Sequence, residues 1–87
     1  MNEVMDKIKG YILENFLFTS DRTALEDDKS FMDSGVVDST GILEIVGFIE
    51  SEFGIKVEDE EMTPENLDSV SRLVRFVLQK TGKNVSL

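Results

Sequence analysis

The segment from Val37 to Gly54 admits one secondary structure, and it constrains the rest of the chain. Asp38 is a good helix N-cap, able to accept hydrogen bonds from the amides of Thr40 or Gly41. Val37 and Ile42 stand at the N′ and N4 positions of a hydrophobic staple. Ile42, Ile45, Val46, Ile49 and Phe53 recur on one face, and Gly54 follows as a left-handed terminator. A helix with one apolar face has to bury it against others of its kind.

The partners are legible on either side. Val4, Ile8, Ile12 and Phe16, with Met5 and Tyr11 beside them, predict a first helix over residues 2–17, about four turns long. Thr63 as N-cap, Pro64 at N1 and Glu65 behind it predict a short third helix that ends at Leu67-Asp68-Ser69. Asp68 or Ser69 then caps a last helix with Val70, Leu73, Val74 and Val77 inward, stopping near Gly82. From Leu17 to Val37 the periodicity fades into polar and turn-forming residues. A loop of that length is usually functional or disordered; Phe31 and Met32, in its middle, are placed to pin it to the core. The expected fold is all-α: a small antiparallel four-helix bundle with a long first loop and a short third helix, one domain over residues 1–87.

Composition excludes more than it selects. A chain of 87 residues buries roughly two-thirds of its extended surface, enough for one core but not for a deep cleft beside it. Eighteen acids against nine bases give a formal charge of −9, which argues against nucleic acid and anionic membranes and for a basic partner surface or simple solubility. With no Cys and no His, the chain lacks a thiolate, the commonest general base and the usual transition-metal ligands, so neither a catalytic residue nor a metal site is expected. The N-terminus has no apolar signal region and no run approaches the roughly 20 apolar residues of a membrane span. A cytoplasmic monomer without membrane insertion is the expectation.

Ser39 is the candidate site. It falls at the predicted N1 position, where unpaired amides and the positive end of the helix dipole favour a phosphate and a hydroxyl can project outward. Taken alone, Asp38-Ser39 reads more readily as a commonplace cap than as a modification site.

The wider pattern closely resembles the acyl carrier protein family. Ser30-Phe31 stands upstream, then Asp38-Ser39, then Ile45 to Ile55 with its Glu52-Phe53-Gly54, then Glu58-Asp59-Glu60, so the resemblance spans nearly the whole chain. It implies that a phosphopantetheinyl transferase moves 4′-phosphopantetheine from coenzyme A onto Ser39, with Asp38 as the acidic residue associated with transferase recognition. The terminal thiol would then carry an acyl or aminoacyl group as a thioester between an activating enzyme and downstream transferases or synthases, which explains how a chain without Cys or His serves thiol chemistry. The loop glycine, Gly35, lies four residues before the serine rather than three. Thr40 replaces the usual Leu and Gly41 a frequent acid, at positions that face partner enzymes in fatty-acid carriers. In this the chain looks closer to stand-alone aminoacyl or specialised-pathway carriers.

Residues 38–71 hold ten acids against one base, Lys56. Such a field speeds encounter with a basic surface. Thr40, Leu43, Glu44, Gly47, Phe48, Glu50 and Glu52 are the expected partner contacts, with Glu44, opposite the apolar stripe, the foremost. Solvation alone competes as the explanation for Glu50 and Glu52. Phe48 is either an exposed anchor or an edge contact against the third helix. Gly47, at about 1 kcal/mol relative to Ala in a helix, reads as close approach of a partner or of a neighbouring helix. The alternative function is a cofactor-free acidic helical interaction domain. An EF-hand is excluded because residues 28–33 lack the alternating ligands and the Gly, and a hydrolase because Ser39 lacks a Gly-x-Ser-x-Gly setting and a His.

Overall fold

A computed structural model describes residues 2–82. Helix α1 runs Asn2–Ile12 and continues as a π-turn over Leu13–Leu17; a 3₁₀ turn, Arg22–Ala24, and the one-turn helix α2, Phe31–Ser34, interrupt the long loop. Then come α3, Ser39–Phe53, a 3₁₀ turn at Asp59–Glu61, the short α4, Pro64–Leu67, and α5, Val70–Thr81. The architecture is the expected all-α bundle with a long first loop and a short penultimate helix, and no strand occurs among the described residues.

The core is where the stripes meet. Ile8, Ile12 and Leu13 of the first helix, Ile45 and Ile49 of α3, and Val70, Leu73 and Val77 of α5 are all buried. Leu13 opens the π-turn and is buried, whereas Phe16, after the extra residue of that turn has shifted the phase, is half-buried. Phe18 ends that turn in the left-handed region, φ 55°, with its ring 82% exposed. Gly54 and Gly82 end α3 and α5 in the same region, at φ 67° and 75°.

Phe31 is fully buried and pins the loop, as the sequence suggests, whereas Met32 turns outward and is exposed. A one-turn helix sends only one side of itself to the core, and Phe31 takes it. Lys9–Asp27, at 2.8 Å, ties the loop to α1, and Ser71 ties it to α5, with its amide on the Asp27 carbonyl (2.9 Å) and its hydroxyl on Asp28 Oδ1 (2.6 Å). The loop is thus ordered by both neighbours. Of the two candidate caps for α5, Ser69 serves: its Oγ accepts from the Arg72 amide at 3.2 Å. Asp68 turns instead to the loop.

Candidate functional site

The α3 N-terminus forms as the sequence dictates. Asp38 is extended, its Oδ1 accepts from the Gly41 amide at 2.8 Å, and its carbonyl accepts from the Ile42 amide at 3.0 Å. Val37 is buried beneath the first turn, with Ile42 packed at the edge of the core. Ser39 is therefore N1, and it is exposed. Its hydroxyl makes no hydrogen bond among the described residues, and no acceptor among them takes the amides of Ser39 or Thr40. Open donors and the dipole of a 15-residue helix face the same space as that hydroxyl. Replacing Asp38 by alanine removes the cap, at a cost of about 1 kcal/mol, read as a lower urea midpoint with an unchanged m value.

Two concave surfaces flank Ser39. On one side a cleft of 160 Å³ lies between α3 and α4, lined by Met32, Ile42, Met62 and Leu67 with Ser39 at its rim. On the other, Phe16 at the end of the first helix reaches the first turn of α3, in a groove with Val36, Asp38, Thr40, Gly41 and Glu44. A methyl group on Gly41 would stand 2.8 Å from Phe16 Cε1 and 2.8 Å from Val37 Cγ1. That contact gives the physical reason for a glycine at this position: the first helix occupies the space.

Gly47 differs, because a Cβ there would meet nothing within 4 Å. Among the described residues no neighbouring helix comes within that distance. The two glycines should therefore respond oppositely to alanine. Gly41→Ala is expected to lose about 1–3 kcal/mol by overpacking, more than its helix propensity returns. Gly47→Ala should gain about 0.5–1 kcal/mol. Paired urea curves showing the same sign for both would contradict this packing.

Among the expected partner contacts, Thr40, Leu43, Glu44 and Gly47 are exposed and share one face of α3 at i, i+3, i+4 and i+7, with Leu43 59% exposed. Glu44 is in no ion pair among the described residues. The other three positions have duties within the fold. Phe48 packs on the first helix, not on the short helix α4 as one expectation had it: its ring stacks on Tyr11, 4.0 Å between centroids and 12° from parallel, and meets Phe53 edge-on. The Tyr11 hydroxyl reaches the Glu44 carbonyl at 3.3 Å, and burial, with the nearby Glu44 charge, raises the phenol above its usual pKa. Glu50 accepts from the Val57 amide at 2.9 Å, holding the turn after α3, and Glu52 pairs with Lys7 at 2.7 Å. That Glu52 contact raises the Lys7 pKa, through the hydrogen bond and then the charge.

Phe16 and Asp68 line the two surfaces beside Ser39, and Ser30 bonds to Asp68; the sequence reading placed none of the three in the site. Phe16 had a trace, in the glycine that replaces an acid at 41; the other two make contacts about half a chain apart, which no local pattern records.

The site is thus an exposed hydroxyl at the amide-rich mouth of a long helix, on an acidic bundle. The family of the phosphopantetheine attachment site matches residues 12–77. The chain is also similar to the acyl carrier protein of Petrotoga mobilis, 32% identical over 79 residues that cover 91% of this chain and 88% of that protein. The chain belongs to the acyl carrier protein family, and its cofactor is the covalently held 4′-phosphopantetheine. The donor set at the α3 N-terminus suits such a group: a free hydroxyl for the ester, open amides for the phosphate, and an apolar cleft alongside.

Proposed function

We propose that phosphopantetheine is attached at Ser39 and that the chain presents acyl or aminoacyl cargo from that point to successive enzymes. When attached, the group supplies a terminal thiol that holds the cargo as a thioester. The observation that carries the reading is the Ser39 hydroxyl at N1, which has no partner among the described residues, beside two amides that have none among them either. Ser39 Oγ supplies the oxygen of the phosphodiester; Asp38 fixes the first turn and so the direction of that oxygen. Among the described residues the carboxylates near Ser39 are the cap Asp38, the exposed Glu44 and the buried Asp68, which Ser30 and the Met32 amide already engage. The reading is of a carrier acted on by a phosphopantetheinyl transferase and not itself a catalyst. Met32, Ile42, Met62 and Leu67 offer apolar cover next to the attachment point.

The partner face in this proposal is the stripe Thr40, Leu43, Glu44 and Gly47. Leu43 gives an apolar contact at its centre, Glu44 a charge unpaired among the described residues for a basic surface, and Gly47 a flat place for close approach. Asp38 and Glu44 raise the rate of encounter more than the final affinity. Activating enzymes, transferases and synthases would share this face in turn. Phe48, Glu50 and Glu52 support the helix from within the fold, and their part in docking is indirect. Thr40 and Gly41, where fatty-acid carriers have Leu and an acid, support an aminoacyl or specialised-pathway cargo. The groove at Gly41 leaves no room for the family's acid without moving Phe16.

Incubating the apo protein with coenzyme A, magnesium and a broad-specificity transferase tests the reading. The intact mass should rise by one phosphopantetheine. No rise, with a transferase proven active on another carrier, would leave the cofactor-free interaction domain as the better account.

A further inference from the structure

We propose that Asp68 is a positioning residue for Ser39, acting from the α4–α5 junction as an N-cap in trans for α2. The proposal rests on Ser39 being the attachment point.

Asp68 is only 7% exposed and is in no ion pair among the described residues. A carboxylate buried without a cation is costly unless every oxygen is well used. Its own helix does not need it, because Ser69 caps α5. Its acceptors all point to the loop. Asp68 Oδ2 accepts from the Ser30 hydroxyl, Oδ1 accepts from the Met32 amide at 3.1 Å, and the Asp68 carbonyl accepts from the Phe31 amide at 2.7 Å. Ser30 Oγ in turn accepts from the Asp33 amide at 3.1 Å. The first three amides of α2 are thus satisfied by Asp68 or by a hydroxyl that Asp68 orients. A four-residue helix has almost no hydrogen bonds of its own and depends on such partners.

The order imposed on α2 is handed on to the serine. The Phe31 carbonyl accepts from both the Val36 amide, at 3.1 Å, and the Val37 amide, at 3.3 Å. Those two residues lead directly into Asp38, which caps α3 in front of Ser39. Asp68 therefore reaches Ser39 through Ser30 to Met32, the Phe31 carbonyl, and the Val36–Val37 run. Asp68 also lines the apolar cleft at whose rim Ser39 stands, so loss of its grip loosens one wall of that cleft. The rest of the loop has separate anchors in Ser71, Lys9 and Asp27, which confine the loosening to residues 30–38.

Loading kinetics and amide exchange on Asp68→Ala, Asp68→Asn and Ser30→Ala test the assignment. In Asp68→Ala, kcat for phosphopantetheine transfer should fall on the order of tenfold while KM for the carrier changes by less than about twofold, because the exposed α3 face is untouched. Amides of Met32, Val36 and Val37 should exchange on the order of tenfold faster, with those of Ile12 and Leu73 unchanged. Asp68→Asn keeps an acceptor for the Met32 amide and should recover most of kcat. Ser30→Ala, the milder lesion should Asp68→Ala not fold, should show the same local exchange and a smaller fall in kcat. A kcat within about twofold of the parent in a folded Asp68→Ala protein overturns the proposal. So does faster exchange spread equally over α1 and α5, which would mark Asp68 as a residue of general stability. A Ser39→Ala control that still gains mass would refute the attachment point instead, leaving the exchange result to judge Asp68 alone.

Discussion

A Ser39→Ala protein is expected to fold as the parent does and to take up no phosphopantetheine. The side chain is exposed, accepts and donates nothing among the described residues, and lies one residue beyond the cap that holds the helix start. Its removal should change stability by less than about 0.5 kcal/mol, as for surface positions without a special contact. The loss of loading should nevertheless be complete, because no neighbouring group replaces the hydroxyl. Thr40 is the nearest candidate, one residue on, and a helix turns about 100° per residue, which points its hydroxyl elsewhere. Circular dichroism matched to the parent, with an unshifted intact mass after transferase treatment, is the expected pair of results. Unfolding would show instead that Ser39 has a structural duty the geometry does not reveal.

The second large effect falls on Phe31. Its ring is fully buried in the same core as Ile12, Ile45 and Leu73, and its main chain carries α2 and the run into Asp38. Phe31→Ala should cost about 3–5 kcal/mol, transfer and cavity terms together. A domain of this size has a total stability on the order of 5–15 kcal/mol, so the variant should be near its unfolding midpoint in mild urea. Met32→Ala, next door but exposed, should stay within about 0.5 kcal/mol of the parent. Equal urea midpoints for Phe31→Ala and the parent would mean the loop is not held by that ring.

The long helices were legible because a 3.6-residue period and end signals reinforce each other. Asp38, the Val37–Ile42 staple and Gly54 bound α3, and Thr63-Pro64 opens α4, where the sequence puts them. The Ser39 position followed from the same cap. What escaped has a common cause, in partners distant along the chain. Asp68 and Ser69 read alike as caps, and only the presence of Ser30 and Met32 beside Asp68 divides the work between them. Phe48 reads as outward on a helical projection, yet Tyr11 of another helix covers it. Glu50 reads as a surface charge, but its carboxylate holds the Val57 amide. Helix α2 is too short to show a period, and the π-turn over Leu13–Leu17 breaks the 3.6-residue period at the end of the first helix.

Cleavage after Lys29 and Lys56 isolates residues 30–56, a peptide that contains Ser39 together with Ser30, Ser34, Thr40 and Ser51. Fragmenting that peptide from the loaded protein locates the ester by residue. The added mass should appear on every fragment that contains Ser39 and on none that lacks it. An adduct on Ser30, Ser34, Thr40 or Ser51, or on any other peptide of the chain, would contradict the placement on which the carrier mechanism stands.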